Sequence, residues 1–183
     1  MGERTQLLVS YQQRFKDENG NFTTSRAALS MHYQWGYGRV MLMDAMSFAW
    51  GLQNTTPGQQ DIEGDWLARW LTKHANCNGT LNFCSPFTQY HSDGVTPIAP
   101  NLHETMDYVF YASDNNDGYG HLEIIKDGQT YDTEAKLHLY DHDQHAVSLA
   151  DYVTRGHGEK YATQEWQEAY RTLLGEINCQ ICE

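Results

Sequence analysis

Gly118-Tyr119-Gly120-His121-Leu122-Glu123-Ile124-Ile125-Lys126-Asp127-Gly128-Gln129-Thr130-Tyr131-Asp132 reads as a histidine at the mouth of a β-strand, a tight turn, and a return strand carrying an acid. Asp127-Gly128 between the strand-like runs His121–Lys126 and Gln129–Glu134 is a strong hairpin signal. Lys136-Leu137-His138-Leu139-Tyr140 alternates as a further strand. Upstream, Tyr108-Val109-Phe110-Tyr111 is a β-rich run, closed by the polar turn Ser113–Gly118. Before it, residues 76–105 hold three of the four prolines and read as an irregular loop.

The N-terminal third reads as helical. Thr23-Thr24-Ser25 offers caps before a helix over Arg26–His32, and Gly36-Tyr37-Gly38 ends it. A second helix, Val40 to Trp50 and stopped at Gly51, is apolar nearly all round, the mark of a buried central helix. A third, about Asp61 to His74, carries Ile62, Trp66, Leu67, Trp70 and Leu71 on one face. A closing helix starts near Thr163, with Trp166, Tyr170, Leu173, Leu174 and Ile177 as its apolar stripe. Helices first, antiparallel strands second and one closing helix make an α+β fold. It is expected as a single domain over 1–183, with a helical part at 23–75, a sheet part at 106–145 and the closing helix at 163–178.

At 183 residues and 40% hydrophobic, the chain can bury one good core, and 13% aromatic residues argue against disorder. The net charge of −12 disfavours nucleic-acid backbones and anionic membrane surfaces as partners; it fits a solvated protein or one seeking a basic partner. No segment approaches the roughly 20 apolar residues that span a bilayer. Met1-Gly2-Glu3-Arg4-Thr5-Gln6 lacks the layout of a secretory signal, so a signal has been removed, export uses another route, or the protein stays inside.

Cys77 and Cys84 bracket a short polar loop, and Cys179 and Cys182 form a C-x-x-C. Two structural disulfides, paired or crossed, are expected, which leans toward an oxidising compartment; zinc held by the two pairs brought together is the open alternative.

His121 and Asp132 suit a catalytic base and the group that orients it, held side by side on paired strands. The run Gly120–Ile124 with Asp127-Gly128-Gln129 and Asp132 resembles the histidine hairpin of papain-like peptidoglycan amidases of the CHAP and NlpC type. Tyr37-Gly38-Arg39-Val40, leading into a buried helix with Ala45 and Ala49, looks like their nucleophile helix, 81 residues before His121. The resemblance covers roughly residues 26–140 and implies a papain-like fold that hydrolyses amide or peptide bonds in cell-wall peptide, with His121 as base and Asp132 as orienter. It departs from the family at Val40, where the nucleophilic cysteine belongs. That leaves a catalytically dead relative, an altered residue, or another nucleophile. Cys84, 37 residues before His121, is the candidate for the last, with a disulfide as its competing role.

His138-Leu139-Tyr140-Asp141-His142-Asp143-Gln144-His145 is dense in possible ligands for a metal-dependent hydrolase, but reads first as a solvated turn after a strand. A fainter resemblance, to zinc D,D-peptidases, rests on His32, Asp44 and His121. The expected function is thus a cell-wall amidase needing no cofactor, a secreted or periplasm-acting effector, toxin or lysin with a possible cognate inhibitor. The alternative is a non-catalytic binding, immunity or adaptor protein on the same fold.

Overall fold

The computed structural model describes residues 4–16, 18–33, 39–55, 64–75, 80–82, 118–127, 132–143, 145–155 and 164–182. Its N-terminal third is organised by period-two alternation. β1 (Thr5–Lys16) and β2 (Phe22–Tyr33) pair antiparallel along their whole length, from Thr5↔Tyr33 to Lys16↔Phe22. Leu7, Val9 and Tyr11 of β1 and Ala27, Leu29, Met31 and Tyr33 of β2 enter one core cluster, while Leu8 and Ala28 enter a second. Alternate residues thus bury on opposite faces of the ladder.

The helix expected over Arg26–His32 is therefore a strand, and the helical part expected over 23–75 begins only at Arg39. Helix propensity in Arg26-Ala27-Ala28-Leu29 yields to a full-length ladder, in which each residue gains a cross-strand partner. Asn19-Gly20, with Gly20 at φ 81°, makes the connecting turn, a left-handed conformation glycine adopts without steric cost.

The sheet is six-stranded, in the order β3-β2-β1-β4-β5-β6, with β3 at Thr80–Asn82, β4 at Gly118–Asp127, β5 at Thr133–Asp141 and β6 at Cys179–Cys182. β1 pairs with β4 in parallel, β4 with β5 antiparallel, and β5 with β6 in parallel. It is a mixed sheet rather than the antiparallel one expected, because strands from the N-terminal third and the chain's end flank the central hairpin. The fold is α+β as expected.

The β4–β5 hairpin is present but built differently. Gln129–Glu134 and Lys136–Tyr140 were expected as two strands; the described residues form one, β5. Asp127 N–H donates to Asp132 C=O at 2.8 Å, so residues 128–131 intervene and a two-residue Asp-Gly turn does not close the ladder. The run at 108–111 and the 76–79 and 83–105 parts of the irregular loop lie outside the described residues.

Helices cover one face. α1 (Arg39–Asn54) buries Met41, Leu42, Ala45, Met46, Phe48, Ala49 and Leu52, each fully buried large side chain contributing about 1.5–3 kcal/mol. It lies close against β4. A Cβ built on Gly120 would sit 2.7 Å from Met41 Sδ, so glycine there is what lets the helix approach. α1 has no basic residue in its last turn; Lys126 of β4 supplies the cation instead, donating to Gln53 C=O at 3.1 Å and Thr55 C=O at 2.7 Å. α2 (Gly64–His74) buries Leu67 and Leu71, with Trp66 against Tyr11 and Trp70 against Phe48.

The short helix α3 (Leu149–Arg155) follows the cap Ser148, whose Oγ accepts from Asp151 N–H at 3.1 Å and donates to the Asp151 carboxylate at 2.9 Å. The closing helix α4 (Gln164–Glu176) buries Tyr170 and Leu174, and Asn178 at φ 51° turns the chain into β6. No helix among the described residues is long and apolar enough to cross a membrane.

Candidate functional site on the second face of the sheet

Parity along β4 decides where its histidine points. Gly120 faces Met41 of α1, and Leu122 and Ile124 join the helix-side core; Tyr119 belongs to the separate cluster with Leu8 and Ala28. His121 therefore lies on the face away from α1. Register aligns Leu8, His121, His138 and Cys182 in one row across four strands. The flanking rows are Gln6, Tyr119 and Tyr140 on one side and Ser10, Glu123, Lys136 and Gln180 on the other.

Within this polar patch Ser10 Oγ and His121 Nε2 are 2.8 Å apart, and each residue is 2% exposed. The His121 ring stacks on His138 with centroids 5.6 Å apart and planes 21° from parallel. Burial first, and the neighbouring His138 second, hold the His121 pKa down to about 3, so the ring is neutral at physiological pH. Half-buried His138 is also lowered, by burial; Glu123 opposes that shift and Lys136 adds to it. Gln6 is buried beside this group, and its Oε1 has no hydrogen-bond partner among the described residues.

Asp132, the expected orienter, is exposed at the far end of the hairpin. His121 is opposite His138, six residues beyond Asp132, which puts Asp132 about 20 Å away at ~3.3 Å per residue. Ser10 of β1 stands at His121 instead. Val40 is in the first turn of α1, so the helix matched to the nucleophile helix exists, but on the opposite face of the sheet from His121. Cys84 lies outside the described residues, as does Cys77.

The C-x-x-C forms the edge strand β6. Cys179 packs in the helix-side core, and Cys182, three residues on, takes the other face. Both are free thiols, which corrects the pairing of these two in a disulfide: opposite faces of one strand keep their sulfurs apart. Burial pushes the Cys179 thiol up to about 12 and raises that of Cys182, where Lys136 opposes and Glu123 reinforces the shift, so neither is an activated thiolate.

At the end of β5, Asp141, Asp143 and His145 hold ligand atoms within 4.8 Å of one another, the group among the described residues that could take a cation. Asp141 Oδ1 already accepts the backbone N–H groups of Asp143 at 3.0 Å and His145 at 2.9 Å, so the carboxylate organises the turn. His138 stands apart from this group, on the second face of β5. Asp44 is buried in α1 and accepts from Tyr33 OH at 3.1 Å, a core role, while His32 sits on β2.

Ser10 was legible only to a reading that saw β1 as a strand, since its link to His121 spans 111 residues. No family model matches this chain, and neither a curated protein nor a solved structure does.

Proposed function

We propose that this chain is a non-catalytic binding protein, an acidic partner or adaptor factor, in preference to a hydrolase working through His121. The observation that carries this reading is the sealed pairing of Ser10 with His121, 2.8 Å apart and each 2% exposed. A serine hydrogen-bonded to a neutral imidazole has the form of a nucleophile and its base. Acyl transfer also needs a carbonyl carbon at Ser10 Oγ and donors aimed at the developing oxyanion. β1 is flanked by β2 and β4, so its backbone N–H groups serve the ladders, and a 2% exposed hydroxyl admits no substrate. A papain-like site would need its nucleophile helix on the side of His121, and α1 packs on the other.

The chain has 24 acidic and 12 basic residues, a balance that draws basic protein surfaces and repels nucleic acid. The Ser10–His121 distance is the observation that favours the rival, an amide hydrolase acting on cell-wall peptide. One experiment separates them: wild type, Ser10→Ala and His121→Ala incubated with peptidoglycan and with simple amide and ester substrates. The binding reading expects no turnover above background in any of the three. Turnover by wild type that disappears in a folded Ser10→Ala protein overturns it.

A further inference from the structure

We infer that α4 carries the docking surface of this protein and that its occupant is a basic amphipathic helical segment of another protein. The inference rests on the binding reading above and names the partner's chemistry.

Two helices expose large apolar side chains one heptad apart. On α1 these are Met43 and Trp50, 49% and 60% exposed, and on α4 Trp166 and Leu173, 39% and 41% exposed. Ser47 and Asn54, which share the outer stripe of α1, carry no charge, and Arg39 at its head is half-buried, so no acidic group on that stripe would draw a basic partner. α4 differs. Trp166, Ala169 and Leu173 follow i, i+3, i+7 spacing and form one stripe, with Ala169 also exposed. At 3.6 residues per turn, Tyr170 and Leu174 lie on its inner side and anchor the helix in the core. Glu165 and Glu176 border its outer side, with Glu168 beyond them, all exposed; Arg171 lies across the helix from the stripe. Apolar area and negative charge therefore coincide on this edge of α4.

A partner helix with apolar residues at i, i+3, i+4 and i+7 would set them on Trp166 and Leu173, while its Lys and Arg side chains reach Glu165 and Glu176. Tryptophan at the centre of such a contact is the side chain most often found to dominate binding, and the flanking carboxylates would set partner choice and association rate.

The test is calorimetric titration with two synthetic helical peptides sharing the same Leu positions, one with Lys and Arg at every other site and one with Glu. The basic peptide is expected to bind, and the acidic one not. Leu173→Ser and Trp166→Ser are expected to weaken the basic peptide at least ~10-fold, the change typical of losing a central apolar contact. Glu165→Lys with Glu176→Lys should shift preference toward the acidic peptide. Glu18→Lys with Glu134→Lys makes the same change in net charge on other exposed elements and should leave the preference in place. Circular dichroism verifies that each variant is folded. Failure of wild type to bind the basic peptide overturns the docking surface, and so does an equal response to the two charge-reversed pairs. Ser10-dependent hydrolysis, by contrast, would overturn the binding reading itself, whatever the peptides do.

Discussion

Ser10 Oγ on β1 and His121 Nε2 on β4 meet on the second face of the sheet, 2.8 Å apart and both nearly sealed from solvent. Such a bond is worth only about 0.5–1.5 kcal/mol net, because water would have satisfied both groups. Breaking it from one side costs more, since the remaining partner stays buried without a bond. Ser10→Ala is expected to destabilise the fold by about 1–3 kcal/mol. Urea denaturation should show the midpoint falling at unchanged slope; a shift of a few tenths of a kcal/mol would mean that the pair contributes little to the fold.

The same burial makes the protein acid-labile in a defined window. His121 has an ordinary pKa of 6.5 and about 3 in the fold. Between those values the unfolded chain binds a proton at this position and the native state does not. Stability therefore rises with pH across the window and is lost as pH falls, by about 1.4 kcal/mol per unit for one group. Depression of His138 acts with the same sign. Stability curves of wild type and His121→Gln, taken from about pH 6 down to pH 4, should diverge by roughly that slope, with wild type losing ground as acid increases. Parallel curves would mean that the ring is already protonated in the fold.

The closing helix, the helix from Gly64 and the strand pair around His121 were legible because each has a strong local period: Trp66, Leu67, Trp70 and Leu71 on one helix face, alternating burial along β5. β1 and β2 were not, because Arg26–His32 has good helix formers, and its strand identity comes from partners earlier in the chain, 14 residues away at Gln12↔Arg26 and 26 at Gln6↔His32. Asn19-Gly20 was the local signal that would have revealed them. His121 could be found as a single residue. Its real companions, Ser10, His138 and Cys182, come from three other strands, and only register brings them together. Asp132 is nearer in sequence than Ser10 and far more distant in space, since strand direction carries it away.

Oxidation of the C-x-x-C should not cross-link it. With Cys179 in the helix-side core and Cys182 half-buried on the opposite face, closing a bridge would require β6 to leave the sheet. Treating the folded protein with a small maleimide and mapping adducts by mass spectrometry should label Cys182 slowly and leave Cys179 unlabelled until denaturant is added. Both thiols are raised, so the Cys182 reaction should be slower than that of an exposed cysteine peptide at the same pH. A native 179–182 disulfide in the same spectrum would refute the strand assignment of β6.

Gly120 and Met41 test which face α1 occupies. A Cβ at position 120 would stand 2.7 Å from Met41 Sδ, 3.0 Å from its Cε and 3.1 Å from Leu7 Cδ1. Gly120→Ala is therefore expected to destabilise by about 1–3 kcal/mol, the usual cost of one extra methyl in a packed core. The clash is with the flexible end of a methionine, so shortening that side chain should relieve it. Met41→Ala alone opens a cavity and costs about 2–5 kcal/mol. In the double variant the added methyl falls into that cavity, and the combined loss should be smaller than the sum by about 0.5–3 kcal/mol. Additive losses would mean that α1 does not pack on Gly120, and His121 would then no longer be placed on the side away from the helix.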